Sequence, residues 1–185
     1  MSDNQQVIGL DYAGLAPVRL EFAFRVRIFF ELRQRFEPTT PMGGRVYVPA
    51  VRGDISGPRL QGRVVPHSGA DWARGRADGA AELNAHYMLE ASDGTPIYIN
   101  NRGFVYGRDE KGMPLKQKPP TQAGPSAGAA TSWTIAPDTY FFCLPAFDAP
   151  VGPHDWLTRH VFIGRGRRVP APDHTCFDYY LVDNG

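Results

Sequence analysis

The sequence predicts an all-β protein built as one antiparallel, up-and-down barrel. Glycine and proline are frequent, with 20 and 17 among 185 residues. No long stretch keeps the 3.6-residue period of an amphipathic helix, whereas several short segments alternate between polar and apolar residues. Short alternating segments separated by turn residues are typical of β-sandwiches and barrels, and successive hairpins close most easily into a barrel.

The first strand is predicted over residues 20–32. Its even positions are apolar from Leu20 to Phe30, while the odd positions include Glu21, Arg25 and Glu31. Side chains of a strand point alternately to opposite faces, so this pattern predicts a strand with one buried face.

Seven further strands complete a barrel of about eight. The segment Asp93-Gly94 predicts a tight hairpin turn, because Asp-Gly readily adopts the positive φ that such a turn requires. The only helix expected is a short turn at 153–157. The remaining strands are predicted at 45–51, 58–66, 80–91, 95–106, 138–144, 158–164 and 174–183.

Residues 1–185 are interpreted as a single domain with two irregular parts. Residues 1–17 form an N-terminal extension. Residues 108–137 form a long loop rich in Lys, Pro, Gly, Ala and Ser. A loop of this length in a compact domain is either a disordered insertion or functional, and here the functional alternative is a lid over the barrel mouth.

Composition excludes several classes of function. The net charge of +1 gives no electrostatic basis for binding nucleic acid or an anionic membrane. The basic segment 164–168 is interpreted as a strand end meeting solvent rather than as a phosphate cradle. The two cysteines, Cys143 and Cys176, are expected to be free thiols in a reducing compartment. With no apolar signal core and no apolar run of ~20 residues, the expected location is the cytoplasm.

One pair of predicted strands carries ionisable groups along a single face. Glu82, Asn84 and His86 alternate on one strand, and Tyr98, Asn100 and Arg102 alternate on its hairpin partner. If this face points inward, the barrel contains a carboxylate, an imidazole, a guanidinium and a phenol that can carry out acid/base catalysis. If it points outward, it is a solvated surface. Periodicity favours the outward alternative, with these residues inside instead: Leu83, Ala85, Tyr87 and Leu89.

Other candidates lie near strand ends. Asp71 and Trp72 follow a predicted strand end, as a base beside a stacking platform or as a turn aspartate beside a plugging tryptophan. Arg159 is the residue of the Arg159-His160 pair expected to enter the cavity. The five histidines lack the close spacing of a zinc site, so no metal is expected. Aromatic walls, or simply core, are expected from Trp133, Tyr140, Phe142 and Trp156.

Several motifs together resemble the domain-of-unknown-function 3237 family. They are Gly44-Arg45-Val46-Tyr47-Val48-Pro49, Gly57-Pro58-Arg59-Leu60-Gln61-Gly62, Ala70-Asp71-Trp72, Glu82-Leu83-Asn84-Ala85-His86-Tyr87, Ile97-Tyr98-Ile99-Asn100-Asn101-Arg102-Gly103, Trp156-Leu157-Thr158-Arg159 and Phe162-Ile163-Gly164-Arg165-Gly166. The resemblance covers residues 18 to 183 in order. It implies a lipocalin-like (calycin-type) barrel, and it implies no single reaction.

Two departures from the family pattern concern the pocket. Relatives commonly carry an arginine where this chain has Phe142, which implies a more apolar cavity wall. The 108–137 segment is also longer than usual. Both departures imply a ligand with aromatic or aliphatic bulk.

The function expected is a cofactor-independent enzyme, an isomerase, cyclase or lyase acting by proton transfer on a small hydrophobic or aromatic metabolite. The expected catalytic residues are Asp71, Glu82, His86, Arg102 and Tyr140, and the expected ligand contacts are Trp72, Tyr98, Asn101, Phe142, Trp156 and Arg159. The alternatives are a non-catalytic carrier of the same ligand and a structural subunit whose barrel has no void. A homodimer through an exposed barrel face is compatible with each of them.

Overall fold

The computed structural model describes residues 18–36, 40–107, 139–170 and 172–184. In this part of the chain every strand belongs to one antiparallel sheet, and a single helical turn interrupts it. The elements are β1 (Val18–Phe30), β2 (Gln34–Arg35), β3 (Gly44–Ser56), β4 (Gly62–Val64), β5 (Gly69–Gly75), β6 (Ala81–Ala91), β7 (Pro96–Tyr106), β8 (Tyr140–Asp148), α1 (Trp156–Arg159), β9 (Phe162–Pro170) and β10 (Asp173–Asn184).

The sheet closes on itself to form the predicted barrel. Strands follow the order β1-β10-β9-β8-β7-β6, then β4 and β5, then β3, and β3 pairs with β1 to complete the circle. β4 and β5 both lie between β3 and β6, and β2 pairs with β3 beyond the end of β1. The ten strands therefore fill eight positions around a closed barrel. The weakest junction is between β8 and β9, which pair only at Phe142 with Arg165 and at Cys143 with Gly164.

The alternation predicted for the first strand holds only over its second half. Phe24, Val26 and Ile28 are buried, but Leu20 and Phe22 are largely exposed. The reason is an irregularity in the pairing of β1 with β10 between Phe22 and Phe24. The unpaired residue Ala23 shifts the phase, so Phe22 lies outside against Tyr180.

One half of the barrel interior is filled by an aromatic plug. The plug consists of Phe24, Phe147, Phe162 and Tyr179, whose ring centroids lie 5.1–6.4 Å apart. Helix α1 covers this end of the barrel, with Leu157 fully buried. The plug leaves the other half of the interior, where β1 ends and β6 begins, free to hold a cavity.

Two predicted strands have different bounds in the structure, and two strands, β2 and β5, were not predicted. The strand expected at 58–66 is only β4, because Gly62 has a positive φ and the chain turns before it. Strand β5 was not predicted, since its alternation is short and interrupted by small residues. The strand expected at 158–164 begins at Phe162, after α1. Within the described ranges, no helix is long and apolar enough to cross a membrane.

Candidate functional site

A cavity of about 290 Å³ occupies the half of the barrel opposite the plug. Most of its wall is apolar. The side chains that form this wall include Ile28, Val46, Val48, Leu83, Ala85, Val105, Phe141 and Phe177. An apolar cavity with a few polar groups is the usual form of a small-molecule site, and this volume suits a small ligand.

Two polar side chains lie in one transverse row of the wall. Asp71 on β5 pairs with Ala85 on β6, and Ala85 pairs with Asn101 on β7. All three residues line the cavity. Because Ala85 between them is small, the carboxyl of Asp71 and the amide of Asn101 face a common space. The barrel thus presents a carboxyl group and a carboxamide to any molecule in the cavity.

Burial dominates the electrostatics of Asp71. Its carboxyl is enclosed by the barrel wall although the residue keeps some solvent contact through the mouth. Loss of hydration raises the pKa of Asp71 to about 6, against the opposing effects of a hydrogen bond from the Asn84 backbone and the charge of Arg33. The Asn84 N–H donates to Oδ1 over 2.9 Å, which fixes the carboxyl orientation. A carboxyl with this pKa can take up and release a proton near neutral pH.

Two buried polar atoms at the inner end of the cavity lack partners. Among the described residues, neither the Tyr87 hydroxyl nor Asn101 Oδ1 has a hydrogen-bond partner, although both side chains are almost fully buried. The Tyr179 hydroxyl, which also lacks a well-aligned partner, lies close enough to Tyr87 to lower its pKa, and Asn101 lies close enough to the Cys143 thiol to do the same there. Burial raises the pKa of Tyr87, which keeps it a neutral phenol. Unsatisfied buried groups are unfavourable, so this pair is suited to a hydrogen-bonding group on a ligand.

Arginines gather at the open end. Arg33, Arg35 and Arg168 all line the cavity. Arg168 donates to Thr175 Oγ1 over 3.3 Å and forms an ion pair with Asp173, and its guanidinium lies 5.3 Å from the centre of the Phe30 ring. The open end therefore carries guanidinium groups, while most of the wall below it is apolar.

Comparison with known proteins places this barrel in a family. The family model described as "Protein of unknown function (DUF3237)" matches residues 18–182. The chain belongs to the DUF3237 family. A UPF0311 protein of Clostridium acetobutylicum is 26% identical over 174 residues, covering 94% of this chain and 99% of that protein.

Two solved structures share the fold of this chain. A β-barrel-like protein from Acinetobacter baumannii superposes with a TM-score of 0.70 at 23% identity, over 90% of this chain and 97% of the other. A protein described as an enzyme from Penicillium herquei superposes with a TM-score of 0.62 at 17% identity, over 90% and 96%. At these identities the likeness extends to the fold alone.

The polar face of β6 and β7 lies outside this DUF3237 barrel, as periodicity favoured. Glu82 accepts a hydrogen bond from Arg74 over 2.9 Å rather than pairing with Arg102, whose strand partner is Asn84. His86 lies between Tyr98 and the Asn84 side chain, which it contacts through Nε2 at 2.9 Å. The inward alternative is therefore wrong. None of these predicted residues faces the cavity: Glu82, His86, Tyr98 and Arg102.

The side chains of Asp71 and Trp72 do not lie beside each other. Both belong to β5 rather than to a segment after a strand end, so their side chains point to opposite faces. Asp71 lines the cavity, whereas the Trp72 ring packs on Tyr47 outside at 4.6 Å between centroids. The predicted stacking platform beside the base is wrong, because only Asp71 of the two faces the cavity. The catalytic role of Asp71 stays a prediction.

The aromatic candidates also lie away from the cavity wall. Tyr140 stacks on Tyr106 at 4.7 Å and contacts Phe142, while the alternate residue Phe141 faces inward. The prediction that Phe142 makes the cavity wall more apolar is wrong, because Phe142 pairs with Phe104 on the outer face.

Trp156 and Arg159 belong to the closed end. Trp156 packs on Phe162 of the plug, and the Arg59 guanidinium lies 4.6 Å from the centre of its ring. Arg159 pairs with Asp155 on the surface. Neither residue reaches the cavity, since the plug lies between them and it.

Sequence reasoning missed the arginines at the mouth and Tyr87 as a polar group of the cavity. Arg168 was assigned to a solvated strand end, although the series Phe162, Gly164, Gly166 and Arg168 keeps a period of two that would have placed it inside. Arg33 gave no such signal, because it follows the end of β1, where the alternation stops.

The remaining predictions concern the Cys143 thiol, a metal site and the irregular parts of the chain. Burial raises the pKa of the Cys143 thiol to about 12, so it is no nucleophile at neutral pH. No cluster of metal-ligating side chains occurs within residues 18–36, 40–107, 139–170 and 172–184. The extension at 1–17, Trp133 and nearly all of the 108–137 loop lie outside the described residues.

Proposed function

We propose that this protein is a cofactor-independent enzyme that moves a proton on a small hydrophobic or aromatic molecule bound in the barrel. The observation that carries the proposal is the position of Asp71, whose carboxyl has a pKa of about 6 and opens onto an apolar cavity. A base with a pKa near the operating pH is most effective in general catalysis.

The chemistry follows from the groups that share the cavity with Asp71. The carboxylate takes a proton from a C–H or O–H of the ligand, and negative charge develops on a neighbouring ligand oxygen. The hydroxyl of Tyr87 is suited to donate a hydrogen bond to that oxygen. Asp71 then returns the proton at another atom of the same molecule. Such a sequence leaves composition unchanged, and it is the chemistry of an isomerase or of an intramolecular cyclase.

Proton abstraction can be tested before the natural substrate is known. The protein is incubated in D₂O with a panel of small aromatic and aliphatic carbonyl compounds, and NMR measures the exchange of their acidic C–H groups. We expect exchange with at least one compound, and a rate that rises with pH to a plateau above about 6, because Asp71 must be ionised.

Variants test whether the exchange activity belongs to the cavity. Asp71→Asn should lower the exchange rate by about 10²- to 10⁴-fold, the usual contribution of a general base. Glu82→Gln and His86→Asn are matched controls on the outer face and should keep the wild-type rate. Exchange that persists in Asp71→Asn, or that disappears in the controls, contradicts the proposal.

A non-catalytic carrier is the second candidate. It is favoured by the unpartnered atoms of Tyr87 and Asn101, which suit ligand binding whether or not Asp71 reacts. A carrier would bind compounds of the same panel, release them unchanged, and show no exchange at any pH.

A further inference from the structure

The two ends of the cavity differ in chemistry. The inner end offers the neutral, unpartnered atoms of Tyr87 and Asn101, and the mouth presents three guanidinium groups. Apolar side chains separate the two ends. A ligand that matches this arrangement has an anionic group at one end, an apolar body, and a hydrogen-bonding group at the other end.

Arg33 is the arginine at the mouth that is best suited to bind an anion. Its guanidinium is half-buried, and no described residue forms a hydrogen bond or ion pair with it. Burial and the like charge of Arg168 lower its pKa. Arg168 already has Thr175 and Asp173 as partners, so it has less need of a further acceptor.

Asp71 does not neutralise Arg33. The two groups attract each other, but they form no ion pair within 4 Å, and the pKa of Asp71 lies above its ordinary value rather than below it. A carboxylate held directly by a guanidinium has a lowered pKa. Asp173 attracts Arg33 as well, but its carboxylate forms an ion pair with Arg168, so the positive charge of Arg33 is available to another anion.

The charge of Arg33 fits a singly charged ligand. A carboxylate carries one negative charge and accepts two parallel hydrogen bonds from one guanidinium, which suits the side chain of Arg33.

We propose that the cavity takes small aromatic or branched aliphatic carboxylates, with the carboxylate on Arg33 and the far end of the molecule at Tyr87 and Asn101. This inference names the substrate class of the proposed enzyme and rests on that proposal.

Calorimetric titration with matched compounds tests the carboxylate. The first pair is 3-(4-hydroxyphenyl)propionate and 3-(4-hydroxyphenyl)propan-1-ol, which differ in charge and share the body. Nine further acid and alcohol pairs carry phenyl, cinnamyl or branched C5–C8 bodies. We expect the acid of at least one pair to bind about tenfold or more tightly than its alcohol, the range for a charge-assisted hydrogen bond.

The Arg33→Gln variant should remove that preference. The acid is expected to lose about tenfold or more in affinity, while the affinity of the alcohol changes little. Arg165→Gln is the matched control, because Arg165 lies on β9 between two inward positions and points outward. A preference that survives in Arg33→Gln, or that is absent from every pair in the wild-type protein, overturns the inference.

A second measurement needs no ligand. Arg33→Met removes a desolvated charge beside another arginine, and we expect it to raise the Tm of the unliganded protein by about 2 to 4 °C. Arg25→Met, which removes a surface ion pair with Asp178, should not raise it. A fall in Tm for Arg33→Met would show that Arg33 supports the fold instead, and it would overturn the inference.

The two proposals fail in different ways. Asp71→Asn should still bind the acid in preference to the alcohol, although it no longer catalyses exchange. Exchange that survives in Asp71→Asn contradicts the catalytic proposal and leaves the measured preference intact. Loss of the preference contradicts the carboxylate inference whatever the exchange rate.

Discussion

Asp71 shows how the barrel wall sets the properties of one carboxyl. Burial disfavours its charged form, whereas the Asn84 N–H and the more distant Arg33 favour it. Burial has the larger effect, and the pKa rises from 3.8 to about 6. The folded protein therefore holds this proton more tightly than the unfolded chain does, and ionisation of Asp71 opposes folding.

This linkage predicts the sign of a pH effect on stability. The unfavourable contribution of Asp71 is absent below about pH 4, grows from pH 4 to 6, and is constant above that range. Asp71→Asn keeps the acceptor for Asn84 and removes the charge. We expect it to raise the free energy of unfolding at pH 8 by of the order of 1 to 3 kcal/mol, and to change it little at pH 4. Urea denaturation at pH 4, 5, 6 and 8 measures this difference.

Asp93 provides a control of opposite sign. The Thr95 N–H, together with His154, lowers the pKa of this exposed turn carboxylate. Its stabilising contribution is present above about pH 4 and is lost as the pH falls, so Asp93→Asn should destabilise the protein at pH 8. A variant Asp71→Asn that is less stable than the wild-type protein at pH 8 would contradict the account of Asp71.

At the scale of elements, strand β9 shapes the cavity through two glycines, Gly164 and Gly166, which have no side chain. A Cβ at Gly166 would lie 2.5 Å from the ring of Phe141, and a Cβ at Gly164 would lie 2.4 Å from the sulfur of Cys143. These two glycines let the facing side chains of β8 occupy the interior. The position of the Phe141 ring in the cavity wall thus depends on the absence of a side chain on β9.

Gly166→Ala should therefore alter the cavity. The added methyl group forces the Phe141 ring to move, and overpacking of this kind typically lowers stability by about 1 to 3 kcal/mol. We expect a lower Tm and weaker binding of whichever compound the wild-type protein binds. Arg165→Ala, at the adjacent outward position, should change neither. Unchanged binding in Gly166→Ala would show that Phe141 does not define the ligand space.

Strands β6 and β5 show what the sequence can and cannot predict. In β6 the alternation of Leu83, Ala85 and Tyr87 with polar residues is long and regular, so it predicts the inner face correctly. β5 is short and contains two alanines and two glycines, so the period is not visible, and Asp71 and Trp72 were assigned to a common loop. Neighbouring side chains of a strand point to opposite faces. Because β5 was taken for a loop, Asp71 and Trp72 were wrongly expected to lie side by side.

At the scale of the whole molecule, the barrel divides its interior between stability and binding. The aromatic plug and the residues around it are nearly free of solvent, whereas the cavity half keeps an open volume. We expect Phe147→Ala to lower the free energy of unfolding by about 3 to 5 kcal/mol, as for other buried aromatic residues.

The matched control for the plug is Phe104→Ala on the outer face, where the side chain is 40% exposed. Its expected effect is below about 1 kcal/mol. Both variants are compared by urea denaturation at one pH. Equal effects at the two positions would contradict the division of the interior into a plug and a cavity.

Alternation and turn residues predicted the closed barrel, but they could not predict the site. The barrel can be predicted from local patterns, since the alternation within each strand indicates which of its faces is buried. The cavity lining brings together Arg33 after β1, Arg168 on β9 and Asp71 on β5, residues far apart in sequence. Their meeting depends on closure, on the bulge at Ala23 and on the register of the strands, none of which the residue types reveal.

The plug also bears on kinetics. Because side chains fill the interior below the cavity and α1 covers that end, the described residues leave no rear exit from the cavity. A molecule that enters at the mouth must depart through the mouth, so substrate and product use one passage in opposite directions. For an enzyme that isomerises its substrate, substrate and product have the same composition and compete for the same binding cavity. Product should then act as a simple competitive inhibitor, and it has to leave before the next turnover begins.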